Sequence, residues 1–153
     1  MRVIGFNFSK ISVEKLKDIN QTPKITTSID ITEINEIKTA LLNIKDEATM
    51  IQARFTYGVR YEPDFASIDL AGSVLLTLDS KEAKEVIKRW KKKEIPEGFR
   101  TILFNVVLRK AALKSLHLEE EMNLPLHIPL PTLRPGQGGQ DAREGKGKGR
   151  KEK

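Results

Sequence analysis

Apolar and polar positions alternate with a period of two across residues 50–78, on both sides of a turn at Glu62-Pro63-Asp64. A period of two is typical of a strand with one buried face, because successive side chains point to opposite faces of a sheet. Gly72 interrupts the second arm and predicts a bulge or a close approach of a neighbouring backbone. The segment is therefore predicted to be a β-hairpin whose apolar face comprises Ile51, Ala53, Phe55, Tyr57, Val59 and Tyr61 in the first arm and Ile68, Leu70, Val74, Leu76 and Leu78 in the second.

A first strand is predicted at the beginning of the chain. Residues 4–8 alternate, and Ile11 and Val13 continue in the opposite parity. This change of parity indicates a bulge or the end of the strand near Ser9-Lys10. Residues 12–18 are rich in charge and are expected to form a short turn of helix or a loop.

A second strand is predicted after Pro23. Residues 25–31 alternate and are rich in β-branched side chains, which favour strands. Residues 32–44 fit either a bulged continuation of this strand, which we favour, or a short helix. Residues 45–47 then form a turn into the hairpin.

Two helices are predicted after the hairpin. Asp79 and Ser80 can cap the first one, because their side chains accept hydrogen bonds from the free amides of a first turn. A basic cluster at residues 88–93 complements its C-terminal end. The second helix is predicted from Pro96 to His117. The first helix carries one apolar stripe, at Ala83, Val86, Ile87 and Trp90.

The second helix is apolar on most of its circumference, so most of that circumference must be covered. One sheet covers one face only, and the remainder is expected to contact a partner chain or the other helix. We therefore expect a homodimer or homotetramer. The following residues 123–133 contain three prolines, which forbid a helix and predict an extended apolar segment laid across a surface.

The predicted fold class is α+β: residues 1–133 form one domain in which a four-stranded antiparallel sheet packs on two C-terminal helices. Residues 134–153 lack large apolar side chains and are predicted to be a disordered, basic Gly/Lys-rich tail. Residues 1–133 carry 20 Lys/Arg and 18 Asp/Glu, whereas residues 134–153 carry 7 and 3. The basic excess therefore lies mainly in the tail and indicates little about the partners of the folded domain.

Composition excludes several classes of protein. The sequence has no apolar run near the roughly 18 residues that span a bilayer, so no membrane insertion is expected. Its first residues do not resemble a signal peptide, and we expect a cytoplasmic protein. The absence of cysteine excludes disulfides and thiolate metal sites. Abundant Lys, Glu and Ile fit a thermophile.

No catalytic arrangement is recognisable, so the protein is not expected to be an enzyme or to need a cofactor or metal. Gly136-Gln137-Gly138-Gly139 lies in the tail, without the strand, lysine and helix of a phosphate-binding loop. His117 and His127 are the only histidines, and neither stands in a recognisable arrangement with a nucleophile. We interpret them as structural.

Two kinds of binding remain. Residues 88–93 combine a dense basic cluster with Trp90, and the basic tail adds cations, a combination that suits single-stranded nucleic acid. Trp90 also continues the apolar stripe of its helix, which favours packing against the core. Apolar area that exceeds what one small domain buries fits either a tightly packed oligomer with no free groove or a groove for extended, apolar polypeptide. We favour the polypeptide and consider nucleic acid unlikely.

The order of four strands, a first helix, a Pro-Gly break and a long apolar helix resembles the SecB family of export chaperones. Phe99-Arg100-Thr101-Ile102-Leu103-Phe104 is similar to the start of the family's long helix, and Leu124-Pro125-Leu126-His127-Ile128-Pro129-Leu130 to the extended stretch after it. The resemblance covers residues 1–133. It implies a dimer or dimer of dimers that holds unfolded chains in apolar grooves without a cofactor.

The sequence departs from that family in two respects. The bacterial export chaperone has a cysteine-containing zinc-binding tail that docks on the translocation ATPase, and this chain has no cysteine. The acidic sheet surface used for the same ATPase is not evident, because Arg54 and Arg60 accompany Asp69 on the polar side of the hairpin. An archaeal or toxin–antitoxin type of relative, with another recipient or none, fits better.

The sequence thus predicts an ATP-independent holdase-type chaperone for non-native or extended polypeptides. A chaperone dedicated to one antitoxin is a further possibility. The residues predicted to line the polypeptide-binding groove are Ile29, Ile31, Phe55, Tyr57, Trp90 and Phe99.

Overall fold

The computed structural model describes residues 1–38, 48–133 and 135. Four antiparallel strands form one sheet in the order β1-β4-β3-β2, and two helices follow. The predicted α+β class, with a four-stranded antiparallel sheet and two C-terminal helices, is confirmed. The elements are β1 (Arg2–Lys15), β2 (Lys24–Ile37), β3 (Ala48–Glu62), β4 (Ala66–Asp79), α1 (Ser80–Trp90) and α2 (Glu97–Glu121).

The predicted central hairpin forms β3 and β4. Phe55 pairs with Gly72, Tyr57 with Leu70 and Val59 with Ile68, so the two apolar faces lie on the same side of the sheet. The alternation in β4 is complete from Ala66 to Leu78, where every second residue is buried. This apolar face packs under both helices and forms the core.

A bulge explains the change of parity in β1. Phe8 pairs with Gly72 and Lys10 with Ala71, which leaves Ser9 as the extra residue. A Cβ atom on Gly72 would lie 2.1 Å from the carbonyl oxygen of Asn7, so the close backbone approach predicted at this glycine is present. The prediction of a helical turn or loop at residues 12–18 is wrong for residues 12–15, because the bulge restores the register and β1 continues to Lys15.

Strand β2 also contains a bulge, between Ile31 and Glu33. The favoured prediction of a bulged continuation is therefore confirmed as far as Ile37. Residues 39–47, which include the predicted turn at 45–47, lie outside the described residues. The predicted disordered tail, residues 134–153, lies outside them as well, apart from Pro135.

Helix α1 begins where the capping residues predict, with the carboxylate of Asp79 accepting a hydrogen bond from the Lys81 amide. Helix α2 extends to Glu121, one turn beyond the predicted end at His117. It ends because Asn123 adopts a φ of 52°, while the amides of Asn123 and Leu124 bond to the carbonyls of Glu120 and Glu119. These two bonds form a Schellman motif, which satisfies the last carbonyls of a helix.

Helix α2 places every fourth residue on the sheet. Its buried side chains include Phe99, Leu103, Val107, Ala111 and Ser115. The large apolar residues on its other side remain exposed, because the sheet covers only one face of the helix. They include Ile102, Leu108 and Leu113. No helix in the described part of the chain is long and apolar enough to cross a membrane.

Candidate functional site

An open groove of about 770 Å³ lies where three elements meet. Strand β2 forms one wall, the end of α1 and the loop after it form another, and the first two turns of α2 complete it. The apolar surface comes from a branched aliphatic residue on each of the strand and the loop and an aromatic residue on each helix. These residues are Ile31, Ile95, Trp90 and Phe104.

Local backbone geometry sets the shape of this groove. Helix α1 ends directly after Trp90, because Lys93 adopts a φ of 59° and the amides of Lys93 and Glu94 bond to the carbonyls of Trp90 and Arg89. This is again the hydrogen-bond pattern of a Schellman motif. Pro96 then starts α2, and the short loop turns the beginning of α2 towards the side chain of Trp90.

Two cations lie over the aromatic rings of the groove. The ammonium of Lys93 is 4.5 Å from the centre of the Trp90 ring, and the guanidinium carbon of Arg100 is 5.3 Å from the centre of the Phe104 ring. The carboxylates of Asp30 and Glu94 line the same groove. The charges of the four side chains balance, so the groove combines apolar surface with polar groups of both signs.

The structure brings together two of the six residues predicted to line a groove. Ile31, which is 5% exposed, and Trp90 both line it, and Ile29 is half-buried one position before Asp30 on the same strand, β2. Phe55, Tyr57 and Phe99 lie in the core of the chain, none of them more than 3% exposed. Their burial follows from the apolar face of β3 and the sheet-facing stripe of α2, which both pack inwards.

Sequence reasoning did not select Phe104, Lys93 or Arg100. Phe104 is one of many apolar residues in α2, and one sequence does not tell which of them faces the strand edge. The signal was present in the Pro-Gly break at residues 96–98, which ends one helix and begins another close to Trp90. The positive φ of Lys93 has no comparable signal, because the residue is neither glycine nor asparagine.

A second feature is a buried polar network at the other end of the sheet. The side chains of Glu119 and His127 are 0% and 2% exposed and are hydrogen-bonded to each other through Glu119 Oε1 and His127 Nδ1. His127 Nε2 lies 3.0 Å from the hydroxyl of Tyr57. The hydroxyl of Tyr61 donates to the carbonyl of Pro125 at 2.7 Å. The sequence predicts a structural role for His127, and the structure gives this histidine buried polar partners.

The order Glu119, His127, Tyr57 has the connectivity of a proton relay, but the tyrosine is not activated. Burial, and then the negative charge of Glu119, raise the pKa of the Tyr57 hydroxyl above its ordinary value. A nucleophile needs a lowered pKa and access to substrate, whereas Tyr57 is 3% exposed. The same two causes raise the pKa of Tyr61. The network therefore holds structure together, and among the described residues no group of three or more acidic or histidine side chains is arranged to hold a metal.

A second, smaller groove of about 590 Å³ lies beside this network. Its walls are the last turns of α2 and the extended segment that follows. The apolar lining consists of four leucines, and Glu119 and Glu120 give it acidic character. The leucines are Leu116, Leu124, Leu126 and Leu130.

The fold is similar to that of a SecB-like chaperone. The chain superimposes on Mycobacterium tuberculosis Rv1957, a SecB-like chaperone solved in complex with a ChAD peptide from the HigA1 antitoxin. The TM-score is 0.53 with 11% sequence identity, and the alignment covers 87% of this chain and 89% of the other. No protein-family model matches the chain, and no curated protein does so. The predicted SecB-like fold is thereby confirmed.

Proposed function

We propose that this protein is an ATP-independent holdase-type chaperone that binds extended, non-native polypeptide in the groove between β2 and the two helices. The observation that carries the proposal is the cluster of Trp90 and Phe104, both half-buried, beside the buried Ile31, which brings large apolar side chains from three elements around one open groove. Such a site accepts many apolar client side chains, because its walls impose no single shape.

The edge of β2 adds a second means of binding. Among the described residues β2 pairs with β3 alone, so its other side offers backbone amides and carbonyls without a strand partner there, next to the groove. An extended client can hydrogen-bond to such an edge whatever its sequence. The bulge at residues 31–33 interrupts this edge beside Ile31, which keeps pairing short and limits uncontrolled strand addition.

The energy of each contact is small. Complete burial of one large apolar side chain contributes about 1.5–3 kcal/mol, so one groove holds a client weakly. Several grooves that bind the same client polypeptide increase the overall affinity well beyond that of one groove. A homodimer or homotetramer, formed through the exposed apolar side of α2, would supply them, and we place this assembly in the cytoplasm.

The similarity to a chaperone solved with a bound peptide supports a polypeptide as the ligand. The open groove does not restrict the protein to one client, so we do not propose a single antitoxin as its only ligand. Export is one possible destination for bound clients, with a recipient that does not depend on a zinc-binding tail of the chaperone, since this chain has no cysteine.

The experiment is suppression of aggregation of a heat-unfolded client at a several-fold excess of this protein, without nucleotide. Trp90→Ala and Phe104→Ala should each weaken suppression. Leu16→Ala is the matched control, because Leu16 is a 56% exposed apolar residue just after β1, which forms the opposite edge of the sheet. No suppression by the natural sequence, or equal suppression by all variants, contradicts the proposal.

Single-stranded nucleic acid is the second candidate, favoured by the cations of Lys93 and Arg100 beside two aromatic rings. Asp30 and Glu94 oppose it, because both carboxylates line the same groove and repel phosphate. An oligonucleotide gel shift that weakens steeply with salt would favour this candidate.

A further inference from the structure

An extended piece of the chain already lies on the apolar face of the sheet. Residues 124–133, here called the strap, leave the end of α2 and run beside Tyr57 and Tyr61. Leu124 is buried in the same apolar cluster as these two tyrosines. The strap has the chemistry expected of a client, because it is extended, apolar and rich in proline.

Besides the Leu124 amide bond that ends α2, two hydrogen bonds hold the strap by its backbone. The Tyr61 hydroxyl donates to the carbonyl of Pro125 at 2.7 Å, and the amide of His127 donates to Glu119 Oε2 at 2.9 Å. Backbone groups are common to all polypeptides, so these two bonds do not depend on the identity of the strap residues.

Two side chains give the strap its specificity. Leu124 fills the apolar cluster and is 5% exposed. His127, three positions later, contacts the buried carboxylate of Glu119 and the hydroxyl of Tyr57. The surface under the strap therefore recognises an apolar residue followed after three positions by a residue that can donate to a carboxylate.

The rest of the strap is covered less completely. Leu126, Ile128 and Leu130 are 37%, 38% and 53% exposed, against 5% for Leu124. Pro125, Pro129 and Pro131 have no amide hydrogen and prevent a continuous strand ladder. Most of its attachment thus comes from Leu124, His127 and the two backbone bonds.

We propose that the surface beneath the strap, formed by Tyr57, Tyr61 and Glu119, is a second binding surface for extended polypeptide, which the strap occupies as an intramolecular ligand. A client with an apolar residue followed three positions later by histidine, lysine or arginine replaces the strap. This inference rests on the proposed function, since it assumes that the protein binds extended polypeptide.

The strap acts as a competitor of high effective concentration. A short tether keeps it near its surface at an effective concentration of about millimolar, so a free ligand binds the closed protein weakly. Weakening the strap should reveal the affinity of the surface. His127→Ala does this, because it removes both side-chain hydrogen bonds of the strap and leaves the surface residues intact.

The test uses the full chain and a fluorescent peptide with the sequence of residues 122–133. Anisotropy should show the peptide binding to His127→Ala at least about tenfold tighter than to the natural sequence, because the loss of one hydrogen bond to a charged group alone has about that effect. His117→Ala is the matched control, since His117 is 64% exposed and its one ion pair with the described residues is to Glu121. A peptide with alanine at the Leu124 and His127 positions should bind poorly.

A measurement on the natural sequence covers the case in which His127→Ala does not fold. Saturating peptide should increase hydrogen exchange of the His127 amide, because the displaced strap loses its bond to Glu119, and the doubly substituted peptide should not. Unchanged exchange, or equal peptide affinity of folded His127→Ala and His117→Ala, overturns the inference. Client binding at Trp90 then still stands, because Trp90 lines the other groove.

Discussion

The ammonium of Lys93 lies 4.5 Å from the centre of the Trp90 ring, and the same lysine has the positive φ of 59° that ends α1. One residue thus terminates the helix and covers the aromatic surface of the groove. A cation over an exposed aromatic ring contributes about 0.5–1 kcal/mol. A positive φ is unfavourable for a side chain with a Cβ, and glycine adopts it freely.

Lys93→Gly should therefore change stability by less than about 1 kcal/mol, because the lost cation–π contact and the relieved backbone offset each other. It should at the same time expose the indole. Acrylamide quenching of Trp90, the only tryptophan in the sequence, measures this directly. Lys84→Ala removes an equal charge from an exposed position of α1 and serves as control. Equal quenching in both variants would mean that Lys93 does not cover the ring in solution.

Substitution of two glycines by alanine should change the stability of the protein in opposite directions. A Cβ on Gly72 would meet the Asn7 carbonyl oxygen at 2.1 Å, so Gly72→Ala must displace β1 and should cost about 1–3 kcal/mol or more. Gly98, in the first turn of α2, has nothing within 4 Å of its Cβ position. Gly98→Ala should stabilise the protein by up to about 1 kcal/mol. Urea unfolding measures both values, and a tolerated Gly72→Ala would contradict the packing of β1 on β4.

Alkaline titration tests the buried tyrosines. Tyr57 and Tyr61 are the only tyrosines, so absorbance at the tyrosinate band reports these two alone. Burial and the negative charge of Glu119 raise the pKa of both hydroxyls. In the folded protein both tyrosines should therefore stay protonated well above pH 10. The unfolded chain loses these protons near its ordinary pKa of about 10. Stability should therefore be unaffected by these groups below that pH and should fall as the pH rises above it. Ionisation of both at pH 10 in folded protein would contradict their burial.

The fold was predictable because its main signals are local. The period of two in β3 and β4, the capping residue Asp79 and the Pro-Gly break at residues 96–98 each act within a few positions. The end of α2 was misplaced because the residue that ends it, Asn123, acts by adopting a positive φ, and asparagine has that conformation in only some contexts.

The candidate site was less predictable because it depends on which side of each element faces outward. Phe55 and Trp90 are both aromatic residues on amphipathic elements, yet Phe55 is 1% exposed and Trp90 lines the groove. The pairing of Glu119 with His127 could not be predicted either. It depends on the end of α2 and on the turn at Asn123, which together set the distance between the two side chains.

The exposed side of α2 should mediate self-association. Leu113 is 60% exposed in the middle of the helix, where a charge in an apolar interface would be costly. Leu113→Glu should therefore shift the protein from dimer or tetramer to monomer in sedimentation equilibrium. Leu16→Glu, on a different surface, should leave the mass unchanged. A monomeric natural sequence would contradict the predicted assembly.

The most direct test of client binding uses the fluorescence of Trp90 during titration with a permanently unfolded, apolar polypeptide without nucleotide. We expect a saturable change in emission that is weakened by Phe104→Ala and retained in Leu16→Ala, since Phe104 lines the groove with Trp90 and Leu16 does not. Polypeptide that binds without any change in Trp90 emission, or that does not bind at all, would contradict the central claim.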